Sequence, residues 1–133
     1  MAHRILIVDD DPQARLVLAY ILKRKGFDVS EAESGAAALA AVGQDCPDLV
    51  LLDVMMPDMD GFEICAALRA SRPGTELPIV MLTAKTDADA HTRGVRAGAN
   101  DYLAKPVRAD ELVARIQAAL AGEVLEGRPA MEP

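Results

Sequence analysis

The feature that most constrains this chain is a repeated pattern: a short, wholly apolar run that stops at a polar residue, followed by a helix-length stretch. Ile5-Leu6-Ile7-Val8 runs into Asp9-Asp10-Asp11, Leu49-Val50-Leu51-Leu52 into Asp53, and Ile79-Val80-Met81-Leu82 into Thr83. Apolar runs of this length without alternation read as strands buried on both faces. Strands covered on both faces and separated by helices belong to a parallel sheet wound on both sides.

The stretches between the runs carry helix signals. Asp11 reads as an N-cap and Pro12 as the first helical residue, with Ala14, Val17, Leu18, Ile21 and Leu22 on one apolar face. Basic Lys23-Arg24-Lys25 and then Gly26 end that helix. Phe27 to Ala32 reads as a second, weaker strand, and Ser34-Gly35 opens an Ala-rich helix to about Val42. Asp60 with Glu63 resembles a capping box for a helix through Ala70. A further helix is expected over roughly Thr86 to Ala97, stopped by Gly98. Tyr102-Leu103-Ala104 is a short final strand, and a last helix runs from about Ala109 to Leu120 with Asp110 and Glu111 in its first turn. The expected fold is therefore α/β, with five strands alternating with five helices over residues 1–121, and residues 122–133 forming a tail or linker stub.

At 133 residues the chain is long enough for one domain and too short for two. Its hydrophobic fraction is 51% with 3% aromatic residues, so Val, Ile, Leu, Ala and Met must build the core. A net charge of −7 without a basic stripe argues against direct nucleic-acid binding by this segment. Cys46 and Cys65 stand at neither a metal-ligand nor a redox spacing; buried structural thiols of a reducing cytosol are the favoured reading and a disulfide the minor one. The N-terminus runs straight into strand-like sequence, so no signal peptide is expected. No apolar run is long enough to span a bilayer. A cytoplasmic protein without membrane attachment is the expectation.

In a parallel sheet of this kind, ligands bind outside the carboxyl ends of the strands. Asp9, Asp10, Asp53, Thr83 and Lys105 all stand there. Converging carboxylates repel one another and call for a countercharge, which a hard divalent cation supplies. A carboxylate nucleophile, a metal site, a hydroxyl and an ammonium are together the parts needed for phosphoryl transfer.

These residues, with Pro47-Asp48, Met55-Met56-Pro57, Asp60-Gly61, Thr83-Ala84 and Gly98-Ala99-Asn100-Asp101-Tyr102-Leu103-Ala104-Lys105-Pro106, resemble the receiver domain of bacterial two-component response regulators. The resemblance covers residues 4 to about 121. It implies a flavodoxin-like doubly wound five-stranded sheet in the order 2-1-3-4-5. It implies that Asp53 is the phosphoacceptor, that Asp10 binds Mg²⁺ (with Mn²⁺ as a substitute) and that Asp9 acts through metal-bound water. The Met55 main-chain carbonyl would complete the coordination. Thr83 would turn inward to the phosphoryl group, Lys105 would pair with it, and Tyr102 would follow Thr83 as a switch. Ala84 would leave room, and the bond before Pro106 would be cis. The implied partner is a sensor histidine kinase or a histidine phosphotransfer protein, acting on a chain that is not itself a multiple-turnover enzyme. The signalling face would be the fourth helix, fifth strand and fifth helix.

Some positions depart from the common pattern. Val107 stands where Phe is frequent, and Arg108 occupies an N-cap position without an acceptor, which leaves the start of the last helix open by a turn. For a phosphorylation-dependent homodimer, Asp101, Glu111 and Arg115 fit a scheme of intersubunit pairs, whereas His91, Arg96 and Gln117 match it poorly; a mixed-charge solvated face explains them equally. Asp11 reads as a cap rather than a metal ligand, and His3 and His91 as surface residues. Met55 and Lys85 lie two residues beyond Asp53 and Thr83, where side chains can block or guide the attacking water; apolar Met55 cannot orient water, so a fairly long-lived acyl phosphate is expected. Two competing readings fare worse. An aspartyl-phosphate hydrolase of the dehalogenase type shares the Asp9-x-Asp11 spacing, but Pro12-Gln13 and the chain length oppose it. A phosphate-independent pseudo-receiver would normally lack part of the acid set, which is complete here.

Overall fold

The computed structural model describes residues 2–54, 60–70, 76–83, 97–105 and 107–122. Its strands are β1 (Arg4–Val8), β2 (Asp28–Ala32), β3 (Leu49–Asp53), β4 (Ile79–Thr83) and β5 (Asp101–Ala104). Its helices among the described residues are α1 (Pro12–Arg24), α2 (Gly35–Gln44), α3 (Gly61–Ala70) and a last helix (Ala109–Leu120). The helix expected over 86–97, apart from its last residue Ala97, the Met55 carbonyl, Ala84, Lys85, His91, Arg96, Pro106 and residues 123–133 lie outside the described residues.

All strands pair in parallel, in the order β2-β1-β3-β4-β5. The apolar runs are central because only there are both faces covered: every residue of β3 and β4 is buried, as are Ile5 to Val8 of β1. Strand β2, at the edge, reads Asp-Val-Ser-Glu-Ala and is only part-buried, which is why its sequence signal is weak.

Alternate strand residues face opposite layers. Leu6, Val8, Val50, Leu52, Ile79 and Met81 pack against α2 and α3 through Ala38, Val42, Ile64, Cys65 and Leu68. Ile5, Ile7, Leu49, Leu51, Val80, Leu82 and Leu103 pack against α1 and the last helix through Ala19, Leu22, Leu112, Val113 and Ile116. Val107, where a larger side chain was the common alternative, is part-buried in this second layer.

Caps fix where the helices begin. The Asp11 carboxylate accepts from the Gln13 amide at 3.0 Å, the Ser34 hydroxyl from the Ala37 amide at 3.1 Å, and the Asp60 carboxylate from the Phe62 amide at 2.8 Å. Arg108 supplies no side-chain cap, yet the last helix still starts at Ala109. Asp110 and Glu111 in its first turn and the burial of its apolar face compensate.

Candidate functional site: an acidic crevice at the strand ends

Register decides what meets at the carboxyl edge of the sheet. Val8 pairs with Leu52, so Asp9 follows β1 beside Asp53, the last residue of β3. Asp53 pairs with Leu82 and Thr83 with Ala104, which brings Thr83 and Lys105 to the other side. Ligand-capable oxygens of Asp9, Asp10 and Asp53 lie within 4.8 Å of one another. The Lys105 ammonium donates to Asp53 Oδ1 at 3.1 Å. Asp9, Asp53 and Thr83 are buried, at 2%, 4% and 4% exposure, while Asp10 stands exposed at the rim. The Thr83 hydroxyl donates to the Leu103 carbonyl at 3.4 Å, the weak end of hydrogen bonding.

The loop that carries the acids is tightly held. The Asp9 amide donates to the Ala32 carbonyl at 3.1 Å, and Asp9 Oδ1 accepts from the Asp11 amide at 2.9 Å. Asp9 Oδ2 is buried and has no hydrogen-bond partner among the described residues. Burial chiefly pushes the Asp9 carboxyl from its ordinary 3.8 up to about 6, and the Asp53 charge adds to the rise. The Asp11 amide and the Lys105 ammonium pull in the other direction. A buried carboxylate oxygen without a partner among the described residues, beside two further carboxylates, is a donor set suited to a hard divalent cation.

On the far side of β3, Gly61 allows α3 to start against the strand end. A Cβ there would lie 2.5 Å from Val54 Cα and 3.1 Å from the Asp53 carbonyl oxygen. The Gly61 amide instead donates to the Val54 carbonyl at 3.2 Å.

The charged residues expected on a dimer face are engaged within one chain. Asp101 is 2% exposed; Arg115 Nη1 reaches its two oxygens at 3.0 and 2.9 Å, and the Tyr102 amide donates to it at 2.8 Å. Glu111 Oε2 lies 3.7 Å from Arg115 Nη2. Asp101 is thus not part of a solvated face. Tyr102 is part-buried beside the layer formed with α2 and α3.

Two arginines escape a reading of the sequence. Arg15 Nη1 donates to the Asp9 carbonyl at 2.6 Å and Nε to Glu31 at 2.9 Å. Arg69 donates to the carbonyls of Gly98, at 2.9 Å, and Leu77, and to Asn100 Oδ1 at 2.6 Å. The only available signal was position: Arg15 lies one turn after the Asp11 cap, close enough to turn back on the acidic loop.

Beside the crevice an apolar groove of about 280 Å³ runs between α1 and the last helix, bounded by Val17, Ile21, Val107 and Leu112 and ending at Asp9 and Lys105. Leu16, Val17 and Tyr20 on the outer side of α1 are exposed. No helix of the described residues is long and apolar enough to cross a membrane.

A family model for the response regulator receiver domain matches residues 5–117. The DNA-binding response regulator MtrA of Mycolicibacterium smegmatis is 48% identical over 120 residues, covering 90% of this chain and 51% of that protein. The response regulator MprA of Mycolicibacterium vanbaalenii is 46% identical over 120 residues, covering 90% and 51%. The chain thus spans about half the length of the curated relatives it matches. A crystal structure from Chloroflexus aurantiacus superposes with a TM-score of 0.88 at 42% identity, covering 91% of this chain and 99% of that one. The chemotaxis protein CheY4 of Vibrio cholerae gives 0.85 at 32% identity, covering 90% and 99%. Fold, strand order and the match over 5–117 agree, and the chain belongs to the response regulator receiver domain family.

Proposed function

We propose that Asp53 accepts a phosphoryl group from a phosphohistidine on a sensor histidine kinase or a phosphotransfer protein. The observation that carries this reading is the Asp53 carboxylate at the end of β3, 3.1 Å from the Lys105 ammonium and clustered with Asp9 and Asp10. An oxygen of Asp53 forms the new O–P bond as the P–N bond of the donor breaks, and the bonding pair leaves with the imidazole nitrogen. Asp9, Asp10 and Asp53 would hold Mg²⁺, or Mn²⁺ in its place, with the Met55 carbonyl as a further donor. When bound, the cation neutralises charge on the phosphoryl oxygens and on the carboxylates. Lys105 stands ready to pair with a transferred phosphoryl oxygen, having only to exchange one anionic partner for another.

The donor must come within reach of Asp53, and the exposed apolar residues Leu16, Val17 and Tyr20 lie on the neighbouring helix. They supply a contact surface for the donor protein. After transfer, Thr83 gives up its long bond to Leu103 for the phosphoryl group, and Tyr102 follows it, which reshapes the surface around β5 and the last helix. A phosphorylation-dependent homodimer would draw on Asp101, Glu111 and Arg115, and so would have to trade the pairs that these residues make within the chain. In this reading residues 1–121 are the receiver unit and 122–133 lead out of it. It acts as a cytoplasmic switch charged once per signal rather than as a turnover enzyme. Relatives of twice its length include proteins named as DNA-binding regulators, so we infer an output of that kind in a longer protein, outside this segment.

The test is intact mass after incubation with Mg²⁺ and acetyl phosphate. The expected result is a phosphoryl-sized gain in the wild type and none in Asp53→Ala. Lys105→Ala should still be labelled but should switch poorly. Labelling of Asp53→Ala to the wild-type level would assign the acceptor elsewhere. No labelling of the wild type, together with no structural response to beryllofluoride, would overturn the reading.

A further inference from the structure

Arg15 stands on the first turn of α1, yet its guanidinium turns back to the strand end that feeds the helix. Nη1 donates to the Asp9 carbonyl at 2.6 Å, and Nε donates to Glu31 Oε1 on edge strand β2 at 2.9 Å. The Arg15 side chain is 14% exposed and that of Glu31 40%, so the cation is the shielded member of the pair. The Asp9 amide is already engaged with Ala32, and Asp9 Oδ1 with the Asp11 amide. The Arg15 bond engages the remaining main-chain polar group of Asp9. Oδ2 is then the oxygen of this residue without a partner among the described residues.

We propose that the Arg15–Glu31 pair is a positioning device for the cation site: it holds the Asp9 carbonyl against the edge strand and so fixes the Asp9 carboxylate for a divalent cation. This rests on the reading of Asp9, Asp10 and Asp53 as the Mg²⁺ ligands. Arg15 touches neither cation nor phosphoryl group and acts through Asp9 alone.

The sign of the effect separates this role from a mere charge. A guanidinium acting only as a nearby positive charge opposes a cation, so deleting it would tighten Mg²⁺ binding. A guanidinium acting through geometry does the reverse: its deletion frees the Asp9 peptide and weakens binding. Loss of groups that orient metal ligands typically costs roughly 10- to 100-fold in affinity.

Mg²⁺ binding to the purified chain is measured by calorimetry, with the Mg²⁺ dependence of acetyl phosphate labelling as the second readout. Arg15→Met should bind Mg²⁺ about tenfold more weakly. The Mg²⁺ concentration for half-maximal labelling should rise by the same factor, with the rate at saturating Mg²⁺ unchanged. Arg15→Lys keeps the charge but not the fork that spans two acceptors, and should stay weakened. Glu31→Ala, at an exposed edge position, should weaken binding in the same direction, as loss of its charge alone would also do; Arg15→Lys, with the charge kept, therefore decides the matter if Arg15→Met does not fold. Mg²⁺ binding as tight as wild type in Arg15→Met, or in Arg15→Lys should only that variant fold, overturns the positioning role. Failure of the wild type to bind Mg²⁺ overturns instead the metal reading beneath it.

Discussion

Replacing Asp9 by Asn should make the metal-free protein more stable, because the acidic cluster is held together against its own charge. The Asp9 carboxyl is pushed from 3.8 to about 6, chiefly by burial and with Asp53 adding to it. Each unit corresponds to about 1.36 kcal/mol between the two protonation states, so keeping Asp9 ionised at neutral pH costs about 3 kcal/mol. Asp9 is only 2% exposed, but its neighbours Asp10 and Lys105 are open to solvent, which lowers the effective penalty. Asn retains an oxygen to accept from the Asp11 amide, so little is lost in exchange. The expected gain is about 1–3 kcal/mol, which for a domain of this size raises Tm by roughly 4–12 °C.

The pH dependence has a definite sign. The folded carboxyl titrates above its unfolded value, so folding carries no penalty at pH values below 3.8, a growing one from there to about 6, and the full one above. In EDTA, the stability of the wild type relative to Asp9→Asn should therefore fall as pH rises from 4 to 6 and then level off. Mg²⁺ should narrow the gap at pH 7.5, because a cation that binds the folded state stabilises it by mass action and the wild type holds it better. Urea unfolding followed by circular dichroism, at pH 4.5 and 7.5 and with EDTA or Mg²⁺, measures all of this. Equal stability of the two proteins in EDTA at pH 7.5, or a gap undiminished at pH 4.5, would refute the reasoning.

Gly61→Ala should place a Cβ 2.5 Å from Val54 Cα, displace the start of α3 or the Asp53 peptide, lower stability by about 2 kcal/mol or more, and slow labelling of Asp53; urea unfolding and intact mass report the two effects. Arg69→Met should cost about 2–4 kcal/mol through the loss of its donors to Gly98, Leu77 and Asn100, with Mg²⁺ affinity unchanged because these contacts lie at the opposite end of the sheet. Arg115→Leu should leave Asp101 buried without its countercharge and destabilise the chain by about 2–4 kcal/mol, and the double variant Arg115→Leu with Asp101→Asn should recover part of that loss in the same unfolding assay.

The fold was legible because central parallel strands leave a sequence little latitude. Val50 to Leu52 and Ile79 to Leu82 are buried on both faces, so each position had to be apolar and the runs stood out. Edge strand β2, with Asp28, Ser30 and Glu31, has solvent on one side and a correspondingly faint pattern. The acids were legible for a topological reason: once strands are placed, their carboxyl ends share one edge, and Asp9, Asp53, Thr83 and Lys105 fall there by register. Arg15, Arg69 and the inward Asp101 were not, since a single charged residue carries no local mark of its partner. Asp101 meets Arg115 across 14 positions and Arg69 meets Asn100 across 31, and such pairs exist only once the layers have packed.

The two edges of the sheet are built to opposite ends. At the amino edge, Arg4 ties β1 to the loop before β3: its amide donates to Asp48 at 2.7 Å, and its guanidinium reaches Asp45 at 2.8 Å and the Cys46 carbonyl at 3.0 Å. Arg69 does the same between α3 and the segments entering β4 and β5, and Gly98, at φ +99°, gives the chain a backbone conformation that side chains disfavour just where the arginine packs against it. The two guanidiniums there satisfy carbonyls and an acid. Among the described residues of the carboxyl edge, three carboxylates crowd one ammonium, and one of the three has a buried oxygen lacking a partner. Instability concentrated at one edge can be relieved by whatever charge arrives there. A fold fastened at the other edge survives both the tension and its release, and that division would let the phosphoryl transfer proposed at Asp53 alter a surface without loosening the core.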